Sequence, residues 1–226
     1  MKKGILLLSA LFVALFSFAG TTPAVEKVKV DTKSSSVKWV GKKVTGSHSG
    51  TINIKSGELA FDGGKLVGGT FEIDMNSMVC TDLSGGMADK LVGHLKSDDF
   101  FGTDKFGTAT LVVKTATLVS GNNYDVTGDL TIKGVTQPVS FKATADKKSA
   151  VAEIKIDRTK FGVKYGSGSF FDNLGDKAID NEFTLNVNLT TEAVAAVTTP
   201  APAKSVAPKK TKKKAIKSAP ARATKQ

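Results

Sequence analysis

Tyr124-Asp125-Val126-Thr127-Gly128-Asp129-Leu130-Thr131-Ile132-Lys133-Gly134-Val135-Thr136 is the stretch on which the fold turns. Tyr124, Val126, Leu130 and Ile132 share one parity; Asp125, Thr127, Asp129, Thr131 and Lys133 share the other. Successive side chains of a strand point to opposite faces, so this is a strand with one apolar and one wet face. Lys133-Gly134-Val135 then offers a tight turn. Beyond it Val139, Phe141, Ala143 and Ala145 alternate with Ser140, Lys142, Thr144 and Asp146, as the second arm of a hairpin would.

The same pattern extends through the chain. Phe71, Ile73 and Met75 alternate with polar neighbours, and so do Phe183, Leu185, Val187 and Leu189. Further strands are predicted at 36–45, 51–55, 58–61, 109–119 and 150–157, with Asp62-Gly63-Gly64 and Gly121-Asn122-Asn123 as turns and Thr45–Gly50 as a turn-like stretch. Many short one-sided strands joined by tight turns make a sandwich or a barrel, and about eight of them favour an antiparallel barrel, because closure removes exposed edges. Leu83, Met87, Leu91 and Leu95 recur every fourth residue instead, predicting a short helix over 84–96 with Asp82 or Ser84 as its cap. Gly68-Gly69 reads as a bulge or a close backbone approach.

The ends differ from this domain, expected over 25–192. Lys2 and Lys3 precede an apolar run from Ile5 to Phe18, and Ser17-Phe18-Ala19 presents small residues for cleavage, so 1–19 is read as a signal peptide and the protein as periplasmic or secreted. Thr22-Pro23-Ala24 is a second cleavage candidate. The run is shorter than the roughly 20 residues of a permanent anchor. From Thr198 the composition turns to Ala, Pro, Thr and Lys, and 193–226 is expected to be a disordered tail. Of the 32 basic residues, two precede the apolar run and nine follow Thr199, leaving 21 against 21 acidic ones. The net charge of +11 therefore belongs to the ends, and no nucleic-acid partner is expected. Lys209, Lys210, Lys212, Lys213 and Lys214 are dense enough to hold an anionic membrane or cell-wall surface.

Catalytic material is scarce. His48 and His94 are the only histidines and Cys80 the only cysteine, so no internal disulfide forms. Together with Asp82, Asp98 and Asp99 they show no metal-ligand or nucleophile–base spacing, so neither a metal site nor an enzyme is expected. Gly166-Ser167-Gly168-Ser169 lacks the Gly-Lys-Ser/Thr and helix of a phosphate loop and reads as a flexible loop.

Three segments resemble the YceI-like family: His94-Leu95 followed by Asp98-Asp99-Phe100-Phe101; the 126–136 hairpin; and Arg158-Thr159-Lys160-Phe161-Gly162-Val163 with the Gly-rich loop and final strand after it. Their order runs over 28–192. The basic tail, Lys160 in place of a frequent acidic residue, and Cys80 depart from the family pattern. The resemblance implies a lipocalin-like barrel holding a long amphiphile: a polyisoprenoid, an isoprenoid quinone, or a fatty acid or its amide. It implies no further cofactor, and head-group contact at His94.

The alternation alone does not decide whether such a barrel is filled or hollow. Gly128, Ala143 and Ala145 on the inward parity leave room for a cavity. Its candidate lining is Phe71, Ile73, Phe100, Phe101, Tyr124, Val126, Leu130, Ile132, Val139, Phe141 and Phe183. The rival to a lipid carrier is a non-catalytic envelope adaptor with a filled barrel and an anion-binding tail. Oligomeric state is not legible in the sequence.

Overall fold

The computed structural model describes residues 25–192. The predicted signal peptide and basic tail lie outside the described residues. In chain order the elements are β1 (Glu26–Lys29), β2 (Ser36–Lys43), β3 (Gly46–Asp62), β4 (Lys65–Cys80), α1 (Gly86–Lys96), β5 (Thr108–Ser120), β6 (Asn123–Ile132), β7 (Val135–Ala145), β8 (Ser149–Asp157) and β9 (Ile179–Thr190). Lys133 and Gly134 adopt φ of 51° and 74°, the left-handed pair a two-residue hairpin turn needs, and Ile132 faces Val135 across it.

The ladders are antiparallel, and β3 pairs with β4 to close the sheet on itself. The barrel has eight staves although nine strands are present. β1 pairs with Phe61–Glu58 of β3 and β2 with Ile52–Gly46, so the two follow one another along β3 as a single broken stave. The break is a turn whose Asp31 carboxylate accepts hydrogen bonds from the Lys33 and Ser34 amides.

Three local expectations are corrected. The strands predicted at 51–55 and 58–61 are one 17-residue strand, because a register shift between Ile54 and Ser56 lets β3 bend and continue. His48 lies within that strand rather than in a turn; Gly41 faces it, and the turn is at Val44-Thr45. The helix starts at Gly86, not at 84, and no side chain caps it. Asp82, one predicted cap, instead binds the Ser49 amide and His48.

Antiparallel connectivity assigns every connection to one of two ends. The distal end carries the tight β3–β4, β5–β6 and β7–β8 turns and the isolated bridge between Val30 and Thr191. Val28, Val30, Leu59, Phe61, Leu66, Ala145, Ala150 and Leu189 are buried there. The mouth carries two long connections, the β4–β5 one with α1 and the β8–β9 one of residues 158–178. No residue of α1 is fully buried, and Met87 is 65% exposed, so only Leu91 and Leu95 of the predicted stripe pack on the core. Toward the mouth the wall also parts: β7 and β8 pair from Ala145 and Ala150 only as far as Lys142 and Glu153.

A lumen under the helix as candidate functional site

Several inward-facing side chains are not fully buried. Ile73, Leu111, Val113, Phe183, Leu185 and Val187 pack against the core yet keep accessible surface, although strands flank them on both sides. A filled barrel would close over them. The accessible faces border two cavities. The larger, about 440 Å³, lies beneath α1 at the mouth; the deeper, about 100 Å³, is lined by apolar residues alone. Val37, Ile73, Leu130, Ile156 and Leu185 border both, so the two abut along the barrel axis. The larger volume falls within the ~300–1,000 Å³ typical of small-molecule sites.

Phe100, Phe101, Ile132 and Phe183 line the mouth cavity, as does His94. Phe71, Val126, Val139 and Phe141 line the deep one, and Ile73 and Leu130 line both. Tyr124 borders neither. It is buried at the distal end, where its hydroxyl accepts a hydrogen bond from the Leu66 amide at 3.2 Å. Gly128 makes no room in the lumen either: a Cβ there would lie 2.6 Å from the Val112 carbonyl oxygen, so its bareness serves the approach of β5 to β6.

The mouth is framed by aromatic and polar groups. The His94 ring meets Phe100 and Tyr165 edge-on, with centroids 5.1 and 4.5 Å apart. Lys133 donates to the Asp98 and Phe100 carbonyls, which fastens the segment after α1 to the β6–β7 hairpin. Arg158, buried at the end of β8, also lines the cavity, with its guanidinium carbon 5.5 Å from the Phe100 centroid. Trp39, Met75, Met78, Tyr165 and Arg158 were missed as lining residues. Parity could have found three of them, since Trp39 follows Val37, Met75 follows Ile73, and Arg158 continues the inward set Ala150, Ile154, Ile156. Arg158 is hidden from a hydropathy reading because it is charged.

On the rim, Asp82 stands between His48 and Cys80. Its carboxylate accepts from the Ser49 amide at 2.7 Å, lies 2.9 Å from His48 Nδ1 and accepts from Cys80 Sγ at 3.2 Å. The Ser49 hydrogen bond, aided by those of His48 and Cys80, holds its pKa down to about 2. The thiol therefore faces a carboxylate, not an imidazole that would take its proton. His94, Asp98 and Asp99 do not join this cluster, and the described residues contain no group of three or more ligating side chains placed for a metal. The 166–169 loop is pinned rather than loose: buried Ser167 donates to Asn181 Oδ1 at 2.6 Å, and Ile179 donates to the Gly166 carbonyl.

The sequence model of the YceI-like domain matches residues 28–191. A UPF0312 protein of Shewanella denitrificans is 36% identical over 94 residues, 42% of this chain and 47% of that protein. Protein YceI of Escherichia coli O157:H7 is 34% identical over a stretch of the same length and coverage. The matched stretch thus spans about half the length of these curated relatives. Among solved structures, Burkholderia cenocepacia BcnA superposes with a TM-score of 0.57 at 26% identity, covering 71% of this chain and 98% of that one. A polyisoprenoid binding domain from Saccharophagus degradans superposes at 0.51 and 17% identity, covering 75% and 99%, a likeness of fold.

Proposed function

Because the chain belongs to the YceI-like domain family, we propose that it is an exported, non-catalytic carrier that sequesters one long-chain amphiphile in its lumen. The ligand class is a polyisoprenoid, an isoprenoid quinone, or a fatty acid or its amide. The observation that carries this reading is the row of half-accessible apolar side chains facing the two abutting cavities. An alkyl or prenyl tail suits the apolar inner cavity, and its polar head suits the mouth, where His94, Tyr165 and Arg158 stand.

Chain length should matter. Burial of about ten methylenes yields roughly 8 kcal/mol gross, whereas association costs on the order of 4–15 kcal/mol. A ten-carbon chain would barely bind and a longer one would bind well. Export by the Lys2–Ala19 leader and weak tethering of the tail lysines to an anionic envelope surface belong to the same proposal. The test is displacement of a fluorescent fatty-acid probe from delipidated protein by fatty acids and prenols of increasing length. Affinity rising with length supports the carrier, and no probe uptake at any length refutes it.

A further inference from the structure

The lumen holds one buried charge. Arg158 is 3% exposed, and from its place just past the end of β8 it lines the mouth cavity together with Ile156. Three of the five guanidinium N–H groups have protein acceptors: Nε donates to the Asp180 carbonyl at 2.9 Å, Nη1 to that of Val163 at 2.8 Å and Nη2 to that of Ile179 at 3.0 Å. All three are neutral carbonyls. Arg158 makes no ion pair with a carboxylate among the described residues. Burial pushes its pKa down against the smaller upward pull of Asp157 and Asp180. A guanidinium nevertheless stays charged near neutral pH.

The other charged groups around this cavity are Lys42, Lys43, Asp176, Lys177, Asp180 and Glu182. All of these are exposed. Water and salt screen them, whereas a charge inside acts at lower dielectric and keeps its strength. An apolar chamber with one fixed cation, N–H groups to spare and no internal counter-ion fits a ligand that brings the negative charge itself. Fork-shaped donors match the two oxygens of a carboxylate or phosphate.

Building on the carrier reading, we propose that the lumen selects acidic amphiphiles: one long chain ending in a carboxylate or a phosphate, its head on Arg158 beneath α1 and its tail running through the mouth cavity into the deep one. Arg158 is then the residue that sets head-group specificity. The three carbonyl bonds hold the guanidinium at the junction of the 158–178 connection and β9, so it need not move to receive the head.

The test is probe displacement from the delipidated full chain by palmitate, hexadecyl phosphate, hexadecanol and inorganic phosphate. Palmitate and hexadecyl phosphate should each bind at least about tenfold more tightly than hexadecanol, the scale of a charge-assisted hydrogen bond gained. Inorganic phosphate at millimolar concentration should displace nothing, because it lacks the tail. Equal binding of acid and alcohol overturns the selectivity while leaving the carrier intact. Binding of no amphiphile overturns both, and displacement by inorganic phosphate overturns the requirement for a chain. Arg158→Gln should bring the acid-to-alcohol ratio close to one, and Arg158→Lys should keep part of it. A ratio unchanged in a folded Arg158→Gln overturns the assignment to this residue. If that variant does not fold, the wild-type ratios still decide the selectivity.

Discussion

At the distal end Phe61 is fully buried and faces Leu66 across the β3–β4 turn, and Tyr124 spans from β6 to the start of β4. At the mouth Phe183 and Leu185, on the same inward parity of the same kind of strand, face open volume. Strand composition does not separate the two ends, because apolar and polar residues alternate in both. The connections do. Short turns draw the distal strands together, and Val28 and Val30 of the broken stave fill the space left over. The 81–107 and 158–178 connections instead arch over the mouth and line it with Phe100, Phe101, Arg158 and Tyr165 while leaving open volume between them. One barrel is therefore a packed core at one end and a receptacle at the other.

The sharpest way to break that contrast is to remove one large ring from each end. Phe61→Ala leaves a void in close-packed surroundings and should cost about 3–5 kcal/mol in urea unfolding, with little change in probe affinity at low denaturant. Phe183→Ala only enlarges a space already present. It should cost about 1 kcal/mol, near the centre of the range for point substitutions, and show its effect in probe affinity. Equal stability losses would mean that the mouth is packed like the distal end. Next in size is Tyr124→Phe, which strands the buried Leu66 amide and should cost about 1–3 kcal/mol without altering ligand binding. Changed chain-length preference in this variant would place Tyr124 in the lumen after all.

A subtler comparison is Phe141→Ala, in the wall of the deep cavity near the parting of β7 and β8. Stability should fall by only about 1 kcal/mol, while the preferred chain length moves upward; a loss as large as that of Phe61→Ala with no change in preference would count the deep cavity as core. The smallest effect expected is at the rim. The folded pKa of Asp82 is about 2 against an ordinary 3.8, so its stabilising hydrogen bonds are fully present above about 3.8 and are lost as the pH falls toward 2. The Ser49 amide proton, followed by NMR, should therefore titrate with a midpoint near 2. A midpoint near 3.8 would show that the bond to Asp82 is not formed.

The alternation around Tyr124–Thr136 carried most of the architecture, because period two is a local property that survives into the closed sheet. Closure itself was inferred from strand number, and the β3–β4 ladder supplies it. Less legible was whatever depends on distance across the barrel. His48 looked like part of a turn because Gly, Ser and Thr surround it, yet pairing with Gly41 makes it strand. Gly128 looked like spare volume, yet the spare volume lies elsewhere. Ten of the eleven apolar lining candidates and His94 border the two cavities; Tyr124 does not, since a buried hydroxyl goes where a backbone amide needs it. Arg158 is not legible by hydropathy, because an inward charge contradicts the rule that lining residues are apolar. A charged side chain continuing an apolar parity is the signal that would have found it.

The central claim is that the mouth and deep cavities hold a long-chain amphiphile. Native mass spectrometry of the protein isolated from the cells that make it tests this without any added probe. The result expected is a polypeptide carrying one small molecule, released by organic solvent and identified as a prenyl or fatty chain. The bare polypeptide mass, from protein that also takes up no fatty or prenyl chain when one is offered, would contradict it.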